Sequence, residues 1–272
     1  LATDRFMIVS ACVSERRDWF WLSKRAARFD CEVSQDRETA IIGVMGPKST
    51  RLLKAICDNP DQAERIDYYT STLLTARDIT FRANRLSYVG ERGFELYLPA
   101  HEATELWQRL LGAGAPLNIR AAGFHAMNAC RMEKGYRHWG DDIHDHITPL
   151  QAGLGFATAK DKTGYLGQPI IDAQRGVQTH RLVSLAIESA DAPFMLHDEP
   201  ILRDGIAVGL TTSAAWGHRV NKSLAMAEVH NAQGVTGAWL KEGNFEVEVA
   251  LQRYPITVQL GPFYDPKSER MK

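Results

Sequence analysis

Nine positions, His138 to His146, hold three histidines and three aspartates, inside the stretch EKGYRHWGDDIHDHITPLQAGLGFA. Metal ligation is the first chemistry such a density suggests. It requires side chains that converge, typically histidines at i, i+4 on a helix or from separate elements. His138, Asp141, Asp142, His144, Asp145 and His146 lie instead in a turn punctuated by glycine and proline. Aspartate is favoured in such turns because it bonds nearby backbone N–H groups. The expectation is therefore a capped polar loop over a pocket, with no metal.

The segment YVGERGFELYLP carries a second candidate. Strand alternation puts Phe94, Leu96 and Leu98 on one face and Glu95 and Tyr97 on the other. With the apolar face in the core, Glu95 faces solvent or a cleft. A carboxylate flanked by aromatics suits a flat heterocycle with two parallel N–H donors, because its two oxygens accept both at once. Glu91, earlier in the same hairpin, reads as a solvated turn residue. Arg131 and Glu133 are two apart on a helix and point to different sides, so each needs its own partner. Tyr136, just past Gly135, sits where the chain changes direction and can line a cleft.

These residues belong to a chain of 272 residues, 44% hydrophobic and 24% charged, with a formal net charge of -1. Such a balance builds no field that draws in nucleic acid or an anionic membrane, so a small-molecule partner is expected. Cys12, Cys31, Cys57 and Cys130 form no CxxC pair, which argues against a zinc ribbon or a disulfide framework and for a reducing compartment. No apolar run is long enough to suggest a membrane span. No GxGxxG, GxSxG, HExxH or Walker pattern occurs; DKTGYLGQPII is a glycine-bracketed aromatic turn entering a helix.

The elements that must position these side chains read as follows. RFMIVSA, residues 5 to 11, predicts a strand with no earlier partner, which implies further sequence upstream and an exposed edge inclined to pair with another molecule. Ser14 is placed to cap a helix with the stripe Trp19, Leu22, Ala26 and Phe29. TAIIGVMGPKSTRLLKAICDN predicts a buried strand, a break at Gly46-Pro47 and a helix turning Leu52, Leu53 and Ile56 inward. DITFRANRLSYVGERGFELYLP predicts two strands joined near Gly90 and Gly93, followed by a helix with Leu106, Trp107, Leu110 and Leu111 closed by Gly112. IRAAGFHAMNACRMEKGY predicts a helix with Phe124, Met127 and Cys130 on its buried side, ending at Gly135. From His180 helical periodicity vanishes and short strands recur, which predicts a small barrel or sandwich, a domain boundary near 178 and no long helix between 200 and 260.

LSYVGERGFELYLP, RMEKGYRHWGDDI, TPLQAGLGFA, KTGYLGQ and GPFYDPKSERM together resemble the tetrahydrofolate-binding aminomethyltransferase superfamily. It is shared by the T protein of the glycine cleavage system and the C-terminal folate module of dimethylglycine and sarcosine dehydrogenases. Order and spacing fit along nearly the whole chain, and EKGYRHWG and FYDP look closer to the dehydrogenase branch. The resemblance implies an α+β folate-binding body, residues 1–178 and N-terminally incomplete, then a C-terminal β-barrel domain, residues 179–272. It implies tetrahydrofolate held by Tyr88, by Glu95, Leu96 and Tyr97 with Glu95 on the pterin edge, and by Tyr136. Ser10 matches a position that is Asn in the T protein. Met127 falls where the T protein has a folate-contacting arginine, a departure from that branch. The family acid that faces the reactive carbon would lie upstream of Leu1, so no catalytic residue is assigned.

Three functions follow from the resemblance. One is aminomethyl or iminium transfer to tetrahydrofolate, giving 5,10-methylenetetrahydrofolate, with a small methylated amine or amino acid as partner and a lipoyl carrier protein if T-protein-like. Another is the folate module of a flavin-dependent dimethylglycine- or sarcosine-type dehydrogenase, with FAD in an upstream domain. The third is a non-catalytic iron-sulfur assembly factor, disfavoured because KTGYLGQP places Gly164 where that branch has a cysteine. The protein would work in the cytoplasm, or in the mitochondrial matrix of a eukaryote. In each folate reading the 137–149 loop closes the mouth of the site.

Overall fold

A computed structural model describes residues 1–189 and 191–271. Four antiparallel strands build the body: β1 (Thr39–Met45), β2 (Ser71–Ala76), β3 (Ile79–Asn84) and β4 (Gly93–Pro99), in the order β1-β4-β3-β2. Helices α2 (Ser49–Ile56), α3 (Pro60–Glu64) and α4 (Ala103–Gly114) share a core with one face of that sheet. Ile42, Val44, Phe81, Phe94, Leu96 and Leu98 enter it from the strands, and Leu52, Leu53, Leu106 and Leu110 from the helices. The predicted strand-break-helix around Gly46-Pro47 is there, and so is the hairpin pair β3 and β4. β2 escapes a reading by pattern because only Leu74 and Ala76 of its six residues are buried. α4 runs through Gly112 to Gly114, since one glycine costs a packed helix only about 1 kcal/mol.

The expected strand at residues 5 to 11 does not form. Those residues make no ladder, and Phe6, Ile8 and Val9 are exposed. An extended segment becomes a strand only when a neighbour satisfies its backbone, and no such neighbour exists among the described residues. α1 (Glu15–Ala26) buries none of its side chains, and Phe29 lies beyond it and exposed. Ser14 precedes α1 but does not cap it through its side chain; its hydroxyl donates to the Ala11 carbonyl at 2.9 Å and to Asp18 Oδ2 at 2.6 Å.

α5 (Phe124–Glu133) starts later than its sequence suggests and turns the other way. Phe124 is exposed, while Ala129, Arg131, Met132 and Glu133 are buried. Ala129 and Met132 pack with Ile147 and Ala152 against Leu182, Ala215 and Met226. The apolar period misled because half of the buried face is charged and satisfied by distant partners. α6 (Gln168–Gln174) follows the KTGYLGQ turn, where Gly164 has φ 80, a left-handed position that favours glycine.

β5 (His180–Ile187), β6 (Pro200–Arg203), β7 (Ile206–Gly217), β8 (Lys222–His230), β9 (Phe245–Val249) and β10 (Gln252–Gln259) close a barrel in the order β10-β5-β8-β7-β6-β9. Closure removes every free edge. Val183, Leu185, Ala225, Ala227, Val229 and Val247 fill its interior. Between 200 and 260 the described residues hold one helix, the six-residue α7 (Gly237–Glu242), which agrees with the loss of helical period. At Gly209, opposite Val229, a Cβ would run into the backbone carbonyl of Glu228. Gly209→Ala is expected to cost roughly 1–3 kcal/mol in urea unfolding, as overpacking against backbone does. A loss within error of zero would mean that β7 and β8 separate freely there.

Candidate functional site

β4 lies between β1 and β3, so its outward side chains sit in rows across the sheet. One row is Ile41, Tyr97, Arg82 and Leu73; the next is Gly43, Glu95, Asn84 and Ser71. Ile41 and Leu73, at the ends of the row, are about half exposed, at 50% and 53%, while Tyr97 between them is buried at 7%. Tyr97 donates its hydroxyl to Glu95 Oε2 at 2.7 Å, and Oε1 accepts nothing among the described residues. Burial, reinforced by the bond to Glu95, holds the Tyr97 phenol above its usual range, so it stays a neutral donor. Gly43 leaves the space beside Glu95 unfilled: a Cβ there would meet only the Met45 Cε, at 3.6 Å. The arrangement is a carboxylate with one committed and one open oxygen, above a flat ledge. Leu96 does not join it. Its side chain is 0% exposed in the core, so only its backbone faces the Glu95 side of the strand.

Tyr88 and Tyr136 form a second group. Their rings stack at 5.9 Å and 9°, and the Tyr88 hydroxyl donates to the Arg137 carbonyl at 2.8 Å. Gly135, at φ 70, turns the chain out of α5 and presents Tyr136. The Tyr136 hydroxyl lies 2.9 Å from the Met271 sulfur, and the Tyr68 hydroxyl reaches the same sulfur at 4.0 Å. No local pattern marks Met271 or Tyr68, because Met271 returns to this wall from the far end of the chain. Among the described residues no hydrogen bond or ring contact joins the tyrosine pair to Glu95 and Tyr97. Ser10 joins neither group: it is exposed, and its hydroxyl serves the Asp18 carboxylate together with Ser14 and Arg17.

The histidine- and aspartate-rich loop, expected over a pocket, does line a cavity through Gly140, Asp141 and His144, and it also joins the two parts of the chain. Asp142 is its centre and is fully buried with Arg131, at side-chain exposures of 0% and 1%. It accepts from Arg131 Nη1 at 2.5 Å, the His138 N–H at 2.8 Å, Thr212 Oγ1 at 2.6 Å and Ser213 Oγ at 2.5 Å. Thr212 and Ser213 belong to β7, so Asp142 ties the body to the barrel. His144 does so again. Its Nδ1 accepts the His146 N–H at 3.1 Å, which places the proton on Nε2, 2.9 Å from Glu228 Oε1. His180 Nε2 approaches the other oxygen of Glu228 at 2.7 Å, and its ring stacks on His230 at 4.0 Å. Asp145 pairs with Arg17 at 2.8 Å. Among the described residues no three His, Cys, Asp or Glu side chains converge on a point that could hold a metal ion.

Glu228 yields a pH prediction. Burial raises its carboxyl pKa, but the His180 hydrogen bond and charge, with the hydrogen bond from His144, outweigh burial, so it lies below its ordinary 4.5. A depressed folded pKa contributes stability that is present above the unfolded pKa and lost as pH falls through the folded value. Below about pH 4.5 the Glu228→Gln protein is therefore expected to lose less stability per pH unit than wild type, read from urea midpoints. Parallel curves would remove Glu228 from the acid response.

Glu91 is not a solvated turn residue. It accepts from Arg219 Nη1 at 3.3 Å and from the Tyr264 hydroxyl, and Arg219 lies 3.8 Å over the Tyr264 ring. Arg219 also meets Glu133, and the Glu133 carboxylate accepts the Arg219 N–H at 2.5 Å. Arg131 and Glu133 thus have separate partners, Asp142 and Arg219, as their spacing requires.

Residues 1–162 match the family described as the GCVT N-terminal domain, and residues 180–265 the glycine cleavage T-protein C-terminal barrel domain. A 4-methylaminobutanoate oxidase (formaldehyde-forming) of Paenarthrobacter nicotinovorans is 36% identical over 100% of this chain, which spans 32% of that protein. Human mitochondrial sarcosine dehydrogenase is 31% identical over 88% of the chain, which spans 26% of it. An aminomethyltransferase of Corynebacterium aurimucosum is 30% identical over 97% of the chain and 71% of its own length. The crystal structure of glycine cleavage system aminomethyltransferase T from Bartonella henselae superposes with a TM-score of 0.76 at 23% identity, covering 93% of this chain and 67% of that one, a likeness of fold. A matching body, a matching six-stranded barrel and relatives along the whole length lead to one conclusion: the chain belongs to the glycine cleavage T-protein family.

Proposed function

We propose that this chain holds tetrahydrofolate while an aminomethyl or iminium carbon, already at the oxidation level of formaldehyde and carried by a small amine or amino acid, passes to the folate nitrogens with loss of the amine, giving 5,10-methylenetetrahydrofolate. The observation that carries the reading is the Glu95 carboxylate beside the side-chain-free ledge at Gly43, with Tyr97 fixing one of its oxygens. A pterin offers paired N–H donors on one flat edge, and a carboxylate above an open flat surface matches that edge in charge and shape. Tyr88 and Tyr136 supply a ring wall for the remainder of the molecule. The protein's contribution is orientation and exclusion of water, since the folate nitrogens are themselves nucleophilic. We place the boundary between the folate body and the barrel near residue 178.

A second reading has its own support. The matches to sarcosine and dimethylglycine dehydrogenases and to the 4-methylaminobutanoate oxidase favour the folate module of a flavin-dependent amine dehydrogenase. In that case the one-carbon donor arises at a flavin on another part of the polypeptide. Both readings need the same folate site. Calorimetric titration with tetrahydrofolate tests that site directly, and saturable binding at one per chain is expected. Absence of binding at millimolar ligand would remove both.

A further inference from the structure

A cavity of about 590 Å³ is lined by neither Glu95 nor the tyrosine wall. Three segments enclose it: Thr148 and Pro149 at the end of the histidine-rich loop, residues 157–159, and the KTGYLGQ turn with the first turns of α6. Each is held in place. Gln151 fixes Thr148, its Oε1 accepting the Thr148 N–H at 2.9 Å and its own N–H donating to the Thr148 hydroxyl at 3.4 Å. Arg175, just past α6, donates through Nη2 to the Ala159 carbonyl at 3.3 Å. The turn is closed by Gln168, whose Oε1 accepts the Gly164 N–H at 2.6 Å, and by left-handed glycines at 164 and 167, with φ 80 and 85. The volume is that of small-molecule sites, which span roughly 300–1,000 Å³.

The lining holds one unmet donor and one free charge. Tyr165 lines the cavity, and its hydroxyl is shielded from solvent with no hydrogen-bond partner among the described residues. A buried phenol ordinarily finds an acceptor, and an unpaired one leaves its desolvation uncompensated, so an acceptor brought by an occupant is indicated. Lys162, three positions earlier in the same turn, supplies the one formal charge of the lining. Its ammonium joins no ion pair among the described residues. Asp172 on α6 is committed to Gln168 and Arg175, and no carboxylate among the described residues lines the cavity. The remaining wall is largely apolar, with Pro149, Ala157, Leu166, Ile170 and Ile171. Leu166 and Ile170 are 66% and 62% exposed, a hydrocarbon surface whose covering is favourable.

We propose that this cavity is a second small-molecule site, for an organic acid that carries one carboxylate on a short apolar body. The carboxylate is at once the acceptor that the Tyr165 hydroxyl lacks and the counter-charge that Lys162 lacks, and the body lies on Leu166 and Ile170. The inference is independent of the folate reading, because the cavity shares no residue with Tyr88, Glu95, Tyr97 or Tyr136.

The test titrates hexanoate, acetate and hexylamine calorimetrically into the full chain as wild type, Tyr165→Phe and Lys162→Met. Wild type is expected to bind one hexanoate per chain, and at the same concentrations neither acetate, which lacks the body, nor hexylamine, which brings a positive charge. Tyr165→Phe removes only the hydroxyl, so hexanoate affinity should fall roughly ten- to a hundredfold, the size of one hydrogen bond to a charged group. Its ligand-free thermal midpoint should hold or rise, since an unpaired donor leaves the interior. Lys162→Met should weaken hexanoate less, roughly two- to fivefold, because the lysine is exposed. Absence of saturable hexanoate binding by wild type, equal affinity in Tyr165→Phe, or equal binding of hexylamine would overturn the site. A fallen midpoint in Tyr165→Phe with unchanged hexanoate affinity would make the tyrosine structural and overturn it too. Tetrahydrofolate should leave hexanoate affinity unchanged, and displacement by it would overturn a separate site. The comparison of the three probes stands whether or not folate binds. Should Tyr165→Phe not fold, hexanoate against hexylamine in wild type and the Lys162→Met loss decide the question.

Discussion

Asp142→Ala is expected to destabilise the protein by about 3 to 5 kcal/mol, the range seen when one partner of a buried ion pair is removed. The cost does not come from the pair alone. Asp142 accepts from Arg131, the His138 N–H, Thr212 and Ser213, so its loss leaves a buried guanidinium without its counter-charge and two β7 hydroxyls without their acceptor. Those groups sit between body and barrel, and the damage should appear as weakened coupling of the two. Urea unfolding followed by tryptophan fluorescence is the measurement, with broadening or splitting of the transition as the sign of uncoupling. Replacing both partners by apolar residues, Arg131→Met with Asp142→Leu, should recover part of the loss because no unpaired charge remains. A single-variant cost under about 1 kcal/mol would mean that water reaches the pair and that it does not join the two parts.

Glu95→Gln should weaken tetrahydrofolate binding by roughly 2 to 4 kcal/mol. The substitution keeps the shape but turns one acceptor into a donor, which then faces a pterin N–H. The Tyr97 hydroxyl fixes one carboxylate oxygen at 2.7 Å, so the pterin has the other oxygen and the remaining lone pairs. Tyr97→Phe should therefore cost less, about 0.5 to 1.5 kcal/mol, through loss of positioning alone. Glu91 cannot serve as the neutral control because it holds Arg219 and Tyr264. Exposed Glu32 can, and Glu32→Gln should change nothing. Glu95 lies on the outward face of the sheet, so its variant should unfold at nearly the wild-type midpoint. Unchanged affinity in Glu95→Gln, with tight binding by wild type, would sink the pterin assignment.

Much of this architecture was legible in the residues themselves. The alternation of Phe94, Glu95, Leu96, Tyr97 and Leu98 marked both the core face of β4 and the outward pair, because a strand has a period of two, although the outward Tyr97 is itself buried at 7% exposure. The short strands recurring after His180 announced a small barrel or a sandwich, and the strand pairing of the structure closed it into a barrel. The spacing of Arg131 and Glu133 required separate partners without saying which. Where a segment's burial was uniform along one local face, its period reported the fold.

Tertiary structure decided the rest. Residues 5 to 11 have a strand's composition, but a ladder needs a second strand and that is a property of the neighbourhood. α5 turned its charged side inward because Asp142 and Arg219 were waiting there, 11 and 86 positions along the chain. Six polar residues in the 138–146 loop read as a capped polar loop over a pocket, and the 0% exposed Asp142 additionally makes it a tie between body and barrel. Met271 beside Tyr136 and Tyr264 on Glu91 are likewise contacts across long separations. The sequence by itself determined which faces are apolar, where glycine must turn the chain and that Glu95 looks outward. Which charges meet, and which are left without a partner, depended on the closed barrel returning to the body, since pairing is set by distance in space and leaves no period along the chain.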